Sequence, residues 1–131
     1  MGKQLLRIEP DINFFLLGIH CHLKDFKFAW LLNHTLNKKF KKIDPFILEK
    51  TKSEFSRYQD QNESENDYLF SNKSPNGYLV SKKKNVDYWL FLQDETDEGI
   101  TKQYQKLINM SKHVLLAFEE KDQTIKEQFL F

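Results

Sequence analysis

His20-Cys21-His22 is the densest local chemistry in the chain. On an extended backbone, side chains two residues apart project from one face, so His20 and His22 point together and away from Cys21. Two neutral imidazoles so placed suit zinc or copper, with Cys21 or Asp25 as a further ligand. A metal site takes three or four ligands, however, and His34 and His113 are the only other imidazoles in the sequence. A thiolate nucleophile at Cys21 would need a base on its own side, which its two neighbours do not supply. The spacing favours a structural cysteine at a strand–helix junction, and no cofactor is expected.

Lysine supplies the second pattern. Lys38-Lys39-Phe40-Lys41-Lys42 and Lys82-Lys83-Lys84 lie near Tyr78 and Tyr88. Lysines beside stacking aromatics suit RNA or single-stranded DNA. Against this, 20 basic and 19 acidic residues leave a net charge of only +1, without the basic footprint of a nucleic-acid domain. Carboxylates cluster at Glu63-Glu65-Asp67, read as loop solvation, and at Asp94-Glu95-Asp97-Glu98, read as complementing the positive end of a helix. With only four glycines, none forms a phosphate-binding loop, and no serine elbow is present. P-loop nucleotide hydrolysis and serine-elbow hydrolysis are therefore not expected.

The elements that must position these residues start with Phe14–Ile19, apolar on both faces and so predicted to be a central strand. The helix Lys24–Leu36 follows. At 100° per residue, Phe26, Ala29, Trp30, Leu32 and Leu36 share an apolar arc with Phe28 at its margin. Lys24, Lys27, His34, Thr35 and Lys38 fall opposite. Asn33 falls inside the arc, where its amide needs hydrogen-bond partners, so it is expected to tie the helix to a neighbouring backbone.

Asp44-Pro45 is expected to halt regular structure. Ser53–Gln59 alternates as a half-exposed strand, Gln61–Asn66 reads as a hairpin loop, and Asp67–Ser71 as the returning strand. Ser74-Pro75-Asn76-Gly77 is the clearest turn, with Asn-Gly suited to left-handed backbone, and Tyr78–Val80 continues the meander. Val86–Gln93 is a second central-looking strand. A second helix starts at Thr96 or Asp97 and turns Ile100, Tyr104, Leu107, Ile108 and Ser111 inward. His113–Glu119 is a last strand, Lys3–Ile8 a short edge strand, and Phe129-Leu130-Phe131 a docked tail. The sum is one α+β domain over residues 1–131, with two main helices on a mostly antiparallel sheet of about five to seven strands. Its element order allows a ferredoxin-like arrangement with extra strands.

Phe15-Leu16-Leu17-Gly18-Ile19, Lys24-Asp25-Phe26 and Ala29-Trp30-Leu31-Leu32-Asn33 resemble the opening of the IPExxxDY proteins of the Bacteroidetes. Leu69-Phe70-Ser71-Asn72-Lys73 and Asn85-Val86-Asp87-Tyr88 fall in the matching order. The Asp-Tyr half of the signature is present, while Val80-Ser81-Lys82-Lys83 stands upstream without the proline and glutamate. The resemblance implies a bacterial cytoplasmic setting and carries no activity with it. It marks Lys24, Asp25, Asn33, Asn72, Asp87 and Tyr88 as candidate functional or structural polar residues. For Asp25 the structural role is the first helical turn, for Asn72 a turn start, and for Asp87 a lysine pair or a capped amide.

A single cysteine excludes an intrachain disulfide and suits a reducing compartment. The N-terminus shows no secretory apolar core, and the run Phe14–Ile19 is too short to span a membrane. The expectation is a cytoplasmic, non-enzymatic module that binds a protein partner or a second copy of itself, through sheet edges and surface aromatics. The alternatives are RNA or single-stranded DNA at Lys38–Lys42 and Lys82–Lys84, and a ligand or metal pocket near His20, His22 and Asp25.

Overall fold

A strand with apolar residues on both sides must be covered on both. In the computed structural model, β1 (Phe14–Cys21) lies inside a six-stranded antiparallel sheet. The structure describes residues 14–62, 66–93 and 98–130. The predicted strand Lys3–Ile8, the helix start at Thr96 or Asp97, the carboxylates Glu63, Glu65, Asp94 and Glu95, and Phe131 lie outside them.

After β1 come α1 (Asp25–Leu36), β2 (Phe40–Leu48), β3 (Ser53–Asp60) and β4 (Tyr68–Ser71). A small hairpin, β5 (Lys73–Ser74) and β6 (Gly77–Tyr78), and a 3-10 turn at Ser81–Lys83 precede β7 (Tyr88–Gln93). The chain closes with α2 (Glu98–Asn109), β8 (Val114–Glu119) and the short α3 (Gln123–Glu127). The sheet order is β2-β3-β4-β7-β1-β8. β1 thus sits between β7 and β8, the strands that α2 joins, as in a split βαβ unit. On the other side, β3 and β4 widen the ferredoxin-like plan between β7 and β2.

Each face of the sheet carries its own core. Leu17, Ile19 and Cys21 of β1 join Phe28, Ala29, Leu32 and Leu36 of α1 and Ile108 of α2 on one side. Phe14 and Leu16 join Leu79, Val80, Val86, Trp89, Ile125 and Phe129 on the other, so the segment after β4 and the C-terminal turn form a third layer. Gly18 is dictated by this packing. A Cβ there would stand 2.5 Å from the Phe118 ring and 2.9 Å from Trp89.

The structure corrects several sequence readings. β2 runs through Asp44-Pro45, with a register shift between Ile43 and Phe46. It is an edge strand, where a missing N–H and a bulge are tolerated. Tyr78–Val80 does not extend the main meander: Gly77 and Tyr78 pair only with Ser74 and Lys73 in a separate two-stranded sheet. In that turn Gly77 alone takes a positive φ, 151°, while Asn76 does not. The inward face of α2 includes Thr101 and Ile108, whereas Ile100 is 38 % exposed. A third helix, α3, joins the two expected.

Each sheet edge is capped at one residue in the same way. Asn33 accepts from Phe40 N at 2.7 Å and donates to Phe40 O at 3.2 Å, tying α1 to edge strand β2. Asn109 accepts from Ala117 N at 2.8 Å and donates to Ala117 O at 2.9 Å, tying α2 to edge strand β8.

Candidate functional site

Four of the residues singled out by chemistry, Cys21, Asp25, Asp87 and Tyr88, meet at the β1–α1 junction, and the structure shows what occupies them. Asp87 and Tyr88 reach it from the start of β7. Asp87 Oδ2 accepts from Cys21 N at 2.8 Å while Oδ1 meets Lys73 Nζ at 2.9 Å. Tyr88 donates its hydroxyl to Leu23 O at 2.5 Å, and its ring stacks on Phe28. Asp25 lies in the first turn of α1, accepts from Phe26 N and stands 3.9 Å from Lys42. Burial and the Asp25 carboxylate push Tyr58 up to about 12, and burial with Asp25, Cys21 and Asp87 raises Tyr88 as well. Burial also raises the Cys21 thiol, against the donated Leu23 N–H. A nucleophilic thiol needs the opposite shift. The cluster fastens a turn: its oxygens hold backbone, and its tyrosines and thiol are kept protonated.

Asn72 is a second fastener, fully buried behind the sheet. Its amide donates to Lys83 O at 2.9 Å and Val86 O at 2.8 Å, and accepts from Val80 N and Trp89 Nε1, each at 2.9 Å. One side chain thereby organises the whole layer between β4 and β7. Lys24 is exposed at the N-cap of α1, where its carbonyl accepts from Phe28 N.

The histidine pair is not assembled into a site. His20 packs beside Phe118 on the face behind the sheet, β1 ends at Cys21, and His22 is exposed. Asp25 faces Tyr58 on the helix side. Among the described residues no three His, Cys, Asp or Glu side chains gather where a metal could be held.

The lysine runs also separate. Lys42 reaches Asp25 on the helix side, whereas Lys82–Lys84 follow Leu79 and Val80 behind the sheet, where they line a cavity of about 340 Å³ with His20 and Phe118. There Lys83 is committed to Glu120 at 3.5 Å and Lys84 to the Tyr78 ring. Lys38 does not face solvent. Its side chain is 11 % exposed and meets Asp67 at 2.7 Å and Asp60 at 3.5 Å. Burial works to lower its pKa, but the two carboxylates outweigh that and leave it raised.

What the sequence reading misplaced is the outer face of α1. The core arc is Phe28, Ala29, Leu32 and Leu36; Phe26 and Trp30 fall outside it and are 57 % and 63 % exposed. Trp30 stacks on His34, one helical turn on. With Leu23, Lys27, Leu31 and His113 it lines a predominantly apolar cleft of about 340 Å³. The available signal was the i, i+4 pair Phe26/Trp30 interleaved with Lys27 and His34, a pattern of aromatic residues on a charged face.

No protein-family model matches the chain, and no curated protein matches it significantly. Among the described residues no helix is long and apolar enough to cross a membrane.

Proposed function

We propose that this chain is a non-enzymatic protein-interaction module of the cytoplasm, working through the outer face of α1. One observation carries the reading. Phe26 and Trp30 stand one turn apart on the same helix, both more than half exposed, and Trp30 lines an apolar cleft. Large aromatics left in water cost hydrophobic free energy and recur where a partner covers them. The polar residues that looked most reactive, Cys21, Asp87 and Tyr88, are spent on backbone, which weighs against an enzyme. The nucleic-acid reading has less to rest on, since Lys38 is held by Asp60 and Asp67, Lys42 reaches Asp25 on the helix side, and Lys82–Lys84 lie behind the sheet. Resemblance to the IPExxxDY proteins agrees with a cytoplasmic setting and adds no activity.

In the test, a photoreactive phenylalanine analogue replaces Phe26, Trp30 or Leu115 in cells of the source organism. Leu115 serves as control, being 67 % exposed on β8. Protein adducts are expected at the α1 positions in excess of the control. Adducts at neither α1 position, or equal yields at all three, overturn the reading. Light scattering of the purified chain at micromolar concentrations separates self-association from a foreign partner.

A further inference from the structure

We infer that the cleft beside Trp30 takes the apolar side of an acidic amphipathic peptide supplied by another protein, an inference that rests on α1 being the docking face. The cleft wall carries Leu23, Trp30 and Leu31, with His113 beside them, and its charged lining is Lys27. Among the described residues no carboxylate lines it. Lys24 and Lys112, both exposed, adjoin this lining in sequence. The nearest acid in the helix, Asp25, serves Phe26 N and faces Lys42. An apolar floor with basic flanks is complementary to a helix whose hydrophobic stripe is bordered by glutamate or aspartate.

The same charges disfavour a second copy docking through its own α1. Two α1 faces brought together would oppose Lys27 to Lys27 with no acid at the cleft to compensate. Pairing through the sheet is blocked where Asn33 and Asn109 occupy the outward backbone of Phe40 and Ala117. A partner with acidic flanks meets neither obstacle.

The experiment uses the full chain and two labelled synthetic peptides of about fourteen residues, roughly four helical turns. Both carry the same leucine and phenylalanine stripe, one with glutamate and the other with lysine at the flanking positions. Fluorescence anisotropy is expected to show the glutamate peptide binding at least about tenfold more tightly, with added salt reducing the difference. Trp30→Ala should weaken that binding by about tenfold or more, and Lys27→Glu should narrow or reverse the preference. Both positions are exposed, and an unchanged urea midpoint for each variant confirms that the fold is intact. Equal binding of the two peptides, still sensitive to Trp30→Ala, overturns the acidic preference and leaves the docking face standing. Binding indifferent to Trp30→Ala overturns both, and binding of neither peptide overturns the inference. Phosphatidylserine vesicles or oligothymidylate that displace the glutamate peptide and themselves bind more tightly through Trp30 also overturn it, identifying a membrane or nucleic-acid surface instead.

Discussion

Asn109 meets Ala117 as a neighbouring strand would, returning one hydrogen bond to its N–H and one to its C=O. Asn33 does the same for Phe40 at the opposite edge of the sheet. Each asparagine stands in the last turn of the helix that leads into the strand it closes. An open edge offers unpaired backbone to any other chain, and these amides occupy part of that offer. Replacing either by alanine should cost about 1–3 kcal/mol. Asn33→Ala leaves both Phe40 groups without this partner, whereas after Asn109→Ala the Ala117 carbonyl keeps Gln105 Nε2 at 3.2 Å, so the Asn33 cost should be the larger. Urea midpoints measure the cost, and light scattering should show concentration-dependent association in the variants only. The two costs should add, because the sites sit on opposite edges.

Lys38 joins strand ends that are far apart in sequence. Asp60 ends β3, while Asp67 precedes β4 and accepts from Gln93 N at the end of β7. Lys38→Met would leave two buried carboxylates without their cation. A loss of about 3–5 kcal/mol is expected in denaturant titration. Adding Asp60→Asn and Asp67→Asn should recover part of it, and a Lys38→Met protein as stable as the parent would show that the ion cluster contributes nothing.

Alkaline pH should unfold the protein early. Cys21, Lys38, Tyr58 and Tyr88 all have pKa values raised in the fold, so the native state holds these protons more tightly than the unfolded chain does. Their contribution is complete below the unfolded values of roughly 8.5 to 10.5 and is lost as pH climbs through the folded ones. Lys126, lowered by burial against the pull of Glu119, acts in the opposite sense and is outnumbered. The urea midpoint should fall steadily above about pH 9. Ultraviolet titration should show the Tyr58 and Tyr88 phenolates forming together with unfolding.

Asn72→Ala should be among the most damaging single changes. It removes four hydrogen bonds at once and strands the Trp89 indole N–H in the core. A cost on the order of 3 kcal/mol or more is expected, with a shift in tryptophan emission reporting the loosened layer.

Gly18→Ala tests close approach rather than backbone freedom. The added methyl must displace the Phe118 or Trp89 ring, at a cost of about 1–3 kcal/mol. Phe118→Leu in the same chain should relieve most of it. No relief would place the strain elsewhere.

Local pattern in the sequence was enough for much of the architecture. The two-sided apolar run of β1 required a covered central strand, alternation in β3 separated Phe55 from Tyr58, and Pro75 with Gly77 marked a hairpin turn. Asn33 was legible as a tether because an amide among apolar neighbours must find partners. The tertiary structure decided which apolar residues were core. Phe26 and Trp30 have the same chemistry as Phe28 and Leu32, and only the placement of α1 against the sheet left the first pair in water. It also decided which charges were surface: Lys38 became buried because chain reversals brought Asp60 and Asp67 to it. Burial and ion pairing depend on neighbours distant in sequence, and local periodicity carries no record of them. The candidate docking face is legible only in three dimensions for the same reason, since it is the remainder left when the core has taken its share.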